Sequence, residues 1–272
     1  FHPHPATPDP LWSRGLGDVY KRQPKFLPPV GLAGSKQIYN MDVLNENVND
    51  GNQGTQMDAF GHFSHTQEKW DGESDLKAED AKYFGGFTQK EVKPSPDSPL
   101  LKLGMETVPP IITSAILLDV RKHIFKGKSM EAGQYVTVEH LKKTIELSGL
   151  SERGLKPGDV VLINTGWSDH YEDPDISKIY YSYAPGISYE TAKFLGTKKV
   201  VAVGLDTPFV DAVPNPNSEK IFKMPGGMPD GLGFPVPVSY THLRAHETRE
   251  DRVCRVMGGK KKGGGGGGGG GG

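Results

Sequence analysis

An α/β fold is what this sequence predicts, on three observations in its second half. Short β-rich apolar runs alternate with amphipathic stretches, each amphipathic stretch opens on a residue able to cap a helix, and the resulting order is strand, helix, strand, helix, strand.

The first run, Ile111 to Val120 (IITSAILLDV), reads as a largely buried strand ending near Asp119. Thr137 then offers an N-cap and Glu139 an acid in the first turn. Val138, Leu141 and Ile145 recur at helical spacing until Gly149 stops the helix. After a turn at Lys156, Pro157 and Gly158, the run Asp159 to Asn164 (DVVLIN) carries Val160, Val161, Leu162 and Ile163, which suit burial on both faces. Ser188 caps a short helix with Ala192, Phe194 and Leu195, and Lys199 to Leu205 supplies a third buried strand. Residues 24 to 100 are richer in Gly, Pro, Asn and Asp, so loops and short strands are expected there. Pro94 to Pro99 and Pro214 to Asn217 read as surface loops or lids, and no internal repeat at a fixed period stands out.

The two ends differ from the middle. Residues 263 to 272 are an unbroken Gly run behind Lys260, Lys261 and Lys262. Ser239 to Met257 and Gly17 to Gln23 resemble translated adapter read-through, so residues 1–23 and 239–272 are expected to be a non-native leader and tail. The 215 residues from 24 to 238 suffice for a single domain, expected to be cut short at its C-terminal side.

Composition excludes several function classes. Residues 24–238 hold 22 basic and 28 acidic side chains, leaving no basic stripe for nucleic acid. Cys254, the only cysteine, lies in the tail, so the middle has no disulfide, thiolate metal site or cysteine nucleophile. No apolar run approaches the ~20 residues of a membrane span, so a soluble protein is expected. Localisation stays open, with the cytoplasm favoured. Gly127, Lys128 and Ser129 imitate a phosphate loop, but Lys122 stands where its first glycine belongs. No serine-nucleophile elbow and no HExxH pair occurs.

The densest polar segment is Asn52 to His62, NQGTQMDAFGH. It resembles the HxGTHxDxPxH signature of the cyclase family, the metal-dependent hydrolases that include kynurenine formamidase and isatin hydrolase. Gly54, Thr55, Asp58 and His62 match that signature, whereas Asn52, Gln56 and Phe60 depart from it. The blocks Gly158 to Trp167, Pro185 to Leu195 and Val201 to Asp211 are similar to later blocks of the family, in order.

The resemblance implies a swivelling β/β/α-type α/β domain and, as a rule, a homo-oligomer. It implies metal-assisted hydrolysis of a C–N bond in a small amide or cyclic amide, as in tryptophan catabolism through kynurenine. Asp58 becomes a ligand of Mn²⁺ or Zn²⁺, Asn52 and Gln56 occupy the places of ligand histidines, and His62 becomes the general base or proton relay. Amide oxygens are weak ligands that suit hard ions, so tight zinc binding is in question. The family's remaining His and Glu ligands fall beyond residue 238, and His242, His246 and Glu247 of the tail are not taken as their equivalents. Two alternatives stand beside the amidase reading: a non-catalytic binding member with a degenerate metal site, and a lactone or ester hydrolase.

Other polar residues have plainer readings. Asp58 outside a motif is an Asx cap, and Asn52 and Gln56 are as readily turn-stabilising amides as ligands. His65 faces either cleft or solvent; Trp70 and Phe60 are core residues or the walls of an aromatic pocket. Asp206 is read as a turn residue before Pro208, and Asp169 with His170 as a solvated loop.

Overall fold

The computed structural model describes residues 24–44, 55–172 and 175–237; Asn52 and residues 1–23 and 239–272, the expected leader and tail, lie outside the described residues. The described chain forms two compact units, one of residues 24–107 and 223–237, the other of residues 108–222.

In the first unit the Gly- and Pro-rich sequence permits only short strands, as expected. Strands β1 (Pro24–Phe26), β2 (Val30–Gly31), β3 (Gln37–Tyr39), β4 (Asp42–Leu44) and β5 (Phe63–His65) are followed by the short helix α1 (Gln89–Val92). β1 pairs antiparallel with β4, and β3 lies between β2 and β5 in an antiparallel sheet that sets Tyr39 opposite Phe63 and Ile38 opposite Ser64. Ile38, Ala81, Tyr83 and Val92 form a buried cluster, with Leu76, Phe87, Leu100 and Leu103 packed around it. Thr88 and Glu91 close α1 with a reciprocal capping box.

The second unit carries the alternation read from the sequence. Its elements are β6 (Ala115–Asp119), α2 (Val120–His123), β7 (Tyr135–Val136), α3 (Val138–Leu147), β8 (Val160–Asn164), α4 (Ile176–Ile179), β9 (Gly186–Ile187), α5 (Tyr189–Thr197) and β10 (Ala202–Leu205). β8 is the middle of a parallel sheet, β10-β8-β6, and β7 pairs parallel with β9. Parallel pairing requires a crossover, and α3 and α5 supply the helical connections. Thr137 caps α3 by accepting from the His140 N–H, and Ser188 caps α5 by accepting from Thr191.

Burial of the sheet departs from expectation. Ile116 and Leu118 of β6 and Val161 and Ile163 of β8 are buried, but their alternating neighbours Leu117 and Leu162 are 59% and 42% exposed. Every residue of β10 is half-buried. Among the described residues β6 and β8 therefore bury one face, with α3 packed on β6. An apolar run states what a strand is able to bury; whether a layer lies over its second face is decided elsewhere in the chain. The first run is also shorter than read, since Ile112 stands 94% exposed ahead of the strand.

Candidate functional site

The signature segment leads into β5, and the pairing of β5 with β3 places its last histidine. Because Tyr39 sits opposite Phe63, the next pair outward is Asn40 and His62, and the Asn40 N–H donates to the His62 carbonyl at 2.8 Å. The His62 ring turns back on the same residue, with Nδ1 2.7 Å from the Asn40 carbonyl oxygen. A carbonyl only accepts, so Nδ1 carries a hydrogen, and the tautomer this contact selects is the one with its lone pair on Nε2. The half-buried ring sits edge-on to Tyr39 and Phe63, 6.3 and 4.4 Å away between centroids. One face of β3 and the start of β5 thereby fix its plane.

Asp58 and Gln56 lie together upstream, both exposed, with Gln56 Nε2 3.5 Å from Asp58 Oδ1. No hydrogen bond among the described residues joins Asp58 to His62. One carboxylate and one amide are too few for the four donors of zinc or the six of manganese or magnesium, and Gln56 turns its N–H side, which cannot ligate, toward Asp58. No group of three His, Cys, Asp or Glu side chains among the described residues is placed to hold a metal. The described donors do not fit the ion that the signature implies.

The remaining candidates resolve into structural roles. His65 exchanges backbone hydrogen bonds with Lys82 as a strand residue. Trp70 donates its indole N–H to the Ser74 carbonyl at 2.7 Å and lies against Gly31, where an added Cβ would come within 2.6 Å of the ring. Phe60 stacks on Phe84 at 4.4 Å, leaving one edge in solvent.

In the second unit Asp206 does more than form a turn. Beyond β10, its carboxylate accepts from Thr165 N–H (2.8 Å) and hydroxyl (2.6 Å) and from Gly166 N–H (2.8 Å), fastening the end of β10 to the end of β8. Burial, the nearby tyrosines and the Asp206 charge push Tyr180 up to about 12. Asp169 takes a two-pronged pair from Arg121 at 2.9 and 2.7 Å, and His170 leans on Trp167 instead.

Sequence reading missed a buried polar group beneath His62. The side chains of Asn40, Tyr83 and Gln89 are 4%, 2% and 7% exposed and hydrogen-bonded to one another. Burial pushes the Tyr83 hydroxyl upward in pKa, opposed by its hydrogen bonds. The only trace in the sequence is an amide directly after the alternating strand QIY.

A mixed α/β framework with a polar segment entering an antiparallel strand defines the class of this protein. The cyclase family model matches residues 5–212, and the chain belongs to the cyclase family. Among solved structures it is similar to a novel cyclase (23% identity, 49% of this chain and 44% of that one, TM-score 0.43). It is also similar to isatin hydrolase A from Ralstonia solanacearum (19% identity, 50% and 47%, TM-score 0.36). A third is an isatin hydrolase bound to the product analogue thioisatinate (17% identity, 49% and 44%, TM-score 0.35). The chain spans less than half the length of each of these structures. No curated protein matches it. No helix of the described residues is long and apolar enough to cross a membrane.

Proposed function

We propose that this cyclase-family chain is a hydrolase of a small amide or cyclic amide, with His62 as its proton-transfer group. The observation that carries the reading is the 2.7 Å contact from His62 Nδ1 to the Asn40 carbonyl, which leaves Nε2 free to accept a proton. In the reaction, Nε2 takes a proton from water as the water oxygen bonds to the substrate carbonyl carbon. The proton then passes to the leaving nitrogen as the C–N bond breaks, giving a carboxylic acid, which still holds the water's other proton, and an amine. Proton transfer of this kind contributes about 10² to 10⁴ in rate. Family membership and the matched signature residues Asp58 and His62 support the reading.

A second reading, a binding member without turnover, is favoured by one observation: Gln56 presents an amide N–H to Asp58 where a ligand imidazole is expected. The two readings separate in one experiment. The full chain is assayed for ring opening of isatin and for hydrolysis of formanilide, by absorbance, beside His62→Ala. Turnover that falls at least about 100-fold in His62→Ala, with an unchanged far-ultraviolet circular dichroism spectrum, supports the hydrolase. Equal rates in the two proteins count against His62, and no turnover with either probe favours the binding member.

A further inference from the structure

The buried amide beneath His62 has a direction, and that direction is set independently from its two ends. At one end the Lys93 carbonyl, which can only accept, takes the Gln89 Nε2–H at 3.1 Å. That contact turns Gln89 Oε1 toward Tyr83, whose hydroxyl donates to it at 2.5 Å. A hydroxyl that has given away its hydrogen has lone pairs left to accept with, and Asn40 Nδ2 donates to it at 2.9 Å. At the other end the Gly61 carbonyl accepts from the same Nδ2 at 2.9 Å. Both ends therefore demand the same orientation of the Asn40 amide, and neither works with the amide flipped.

The main-chain N–H and carbonyl of Asn40 go to the same stretch of chain, while its Oδ1 is buried without a hydrogen-bond partner among the described residues. Its N–H goes to the His62 carbonyl at 2.8 Å, and its carbonyl receives His62 Nδ1–H at 2.7 Å. One residue thus grips the peptide before the imidazole, the peptide after it and the ring itself. A buried polar chain costs stability wherever a donor or acceptor goes unmatched, as Asn40 Oδ1 does, and an apolar side chain at position 40 would avoid that cost. What an apolar residue cannot do is hold Gly61.

We propose that Asn40 is the positioning residue of His62: its main-chain carbonyl fixes the imidazole as its Nδ1–H tautomer, and its side-chain amide, kept in orientation by Tyr83 and Gln89, holds the Gly61 carbonyl so that the ring stays on that main-chain carbonyl. Catalytic value for this arrangement rests on the reading of His62 as the base. The positioning itself does not, because the tautomer is observable without turnover.

The test is proton–nitrogen correlation spectroscopy of the histidine side chains in the full chain, with the His62 signals assigned by their absence in His62→Ala. The wild type should show a single Nδ1–H tautomer for His62. Asn40→Ala should move its two ring nitrogens toward a common average shift. Tyr83→Phe, which removes only the hydroxyl, should move them in the same direction by less. On isatin, Asn40→Ala should lower kcat about tenfold while KM changes less than about twofold. If Asn40→Ala does not fold, Tyr83→Phe carries the test. Ring nitrogens that stay at wild-type shifts in the folded variants overturn the proposal. A shifted tautomer together with unaltered isatin turnover in His62→Ala upholds the positioning and removes His62 as the base.

Discussion

Replacing Gly186 by alanine separates a steric demand from a conformational one. Gly186 lies in β9, buried, paired with Tyr135, with its backbone outside the left-handed region. A Cβ there would stand 2.3 Å from the Ala212 nitrogen, 2.3 Å from the Asp211 carbonyl carbon and 2.7 Å from the Val210 oxygen. All three are backbone atoms, so no side chain can swing aside. Relieving the overlap requires roughly 1 Å of main-chain movement to regain ordinary contact distances. The 210–213 segment resists that movement, held by Ile187 N–H to Val210 O at 2.9 Å and by the reciprocal Ala184 and Val213 bonds at 3.0 and 2.8 Å. Overpacking costs about 1–3 kcal/mol and each weakened hydrogen bond about 1 kcal/mol, so Gly186→Ala should lose about 3–5 kcal/mol. At about 2–4 °C per kcal/mol, the Tm should fall by roughly 6–20 °C.

The control is Gly149→Ala, at a residue with φ of 70° and nothing within 4 Å of its added Cβ. That variant meets only left-handed backbone strain, about 1 kcal/mol. Both are measured by urea denaturation followed by circular dichroism. A Gly186→Ala protein within about 1 kcal/mol of wild type, or one more stable than Gly149→Ala, refutes the close approach of the 210–213 segment.

Two further outcomes are expected. Gln56→His places an imidazole beside Asp58, and calorimetric titration should show Zn²⁺ binding tightened at least about tenfold, a gain that the added change Asp58→Ala abolishes; equal Zn²⁺ affinity in wild type and Gln56→His counts against a ligand role for this pair. Asp159 accepts from both Arg153 guanidinium N–H groups at 2.7 Å, from Ser114 at 2.8 Å and from the Lys156 N–H at 2.8 Å, and the Arg153 hydrogen bonds hold its carboxyl well below the usual carboxylate range. Its folded value lies below its unfolded one, so the stability it adds is complete above about pH 5 and is lost as pH falls toward the folded value. Asp159→Asn should cost about 3 kcal/mol at pH 7 and flatten the fall of Tm below pH 5; a parallel Tm curve in the variant contradicts that assignment.

Much of the second unit was legible because its signals are local. Thr137 and Ser188 cap helices with their own side chains, and period-2 and period-3.6 patterns need only a few neighbouring residues to appear. Leu117 and Leu162 show where that reading stops, since an apolar side chain does not record whether another layer lies against it. Asp206 looked like a turn before Pro208, and its carboxylate reaches back to residues 165 and 166 instead. The candidate site divides in the same way. Asp58 and His62 stood out by type and spacing, while Asn40 and Tyr83, 22 residues before His62 and 43 after Asn40 respectively, had no local mark.

The sequence by itself determined the residue types that carry chemistry, the helix starts and the alternation that defines an α/β chain, because backbone propensity and capping act across a few residues. Tertiary structure alone decided which ring nitrogen of His62 bears the proton, which amide steadies it and which sheet face is covered. Those depend on the antiparallel register of β3 with β5 and on layers packed from distant parts of the chain. Hydrogen bonds and burial are properties of neighbours in space, and this chain brings them together only once it has folded.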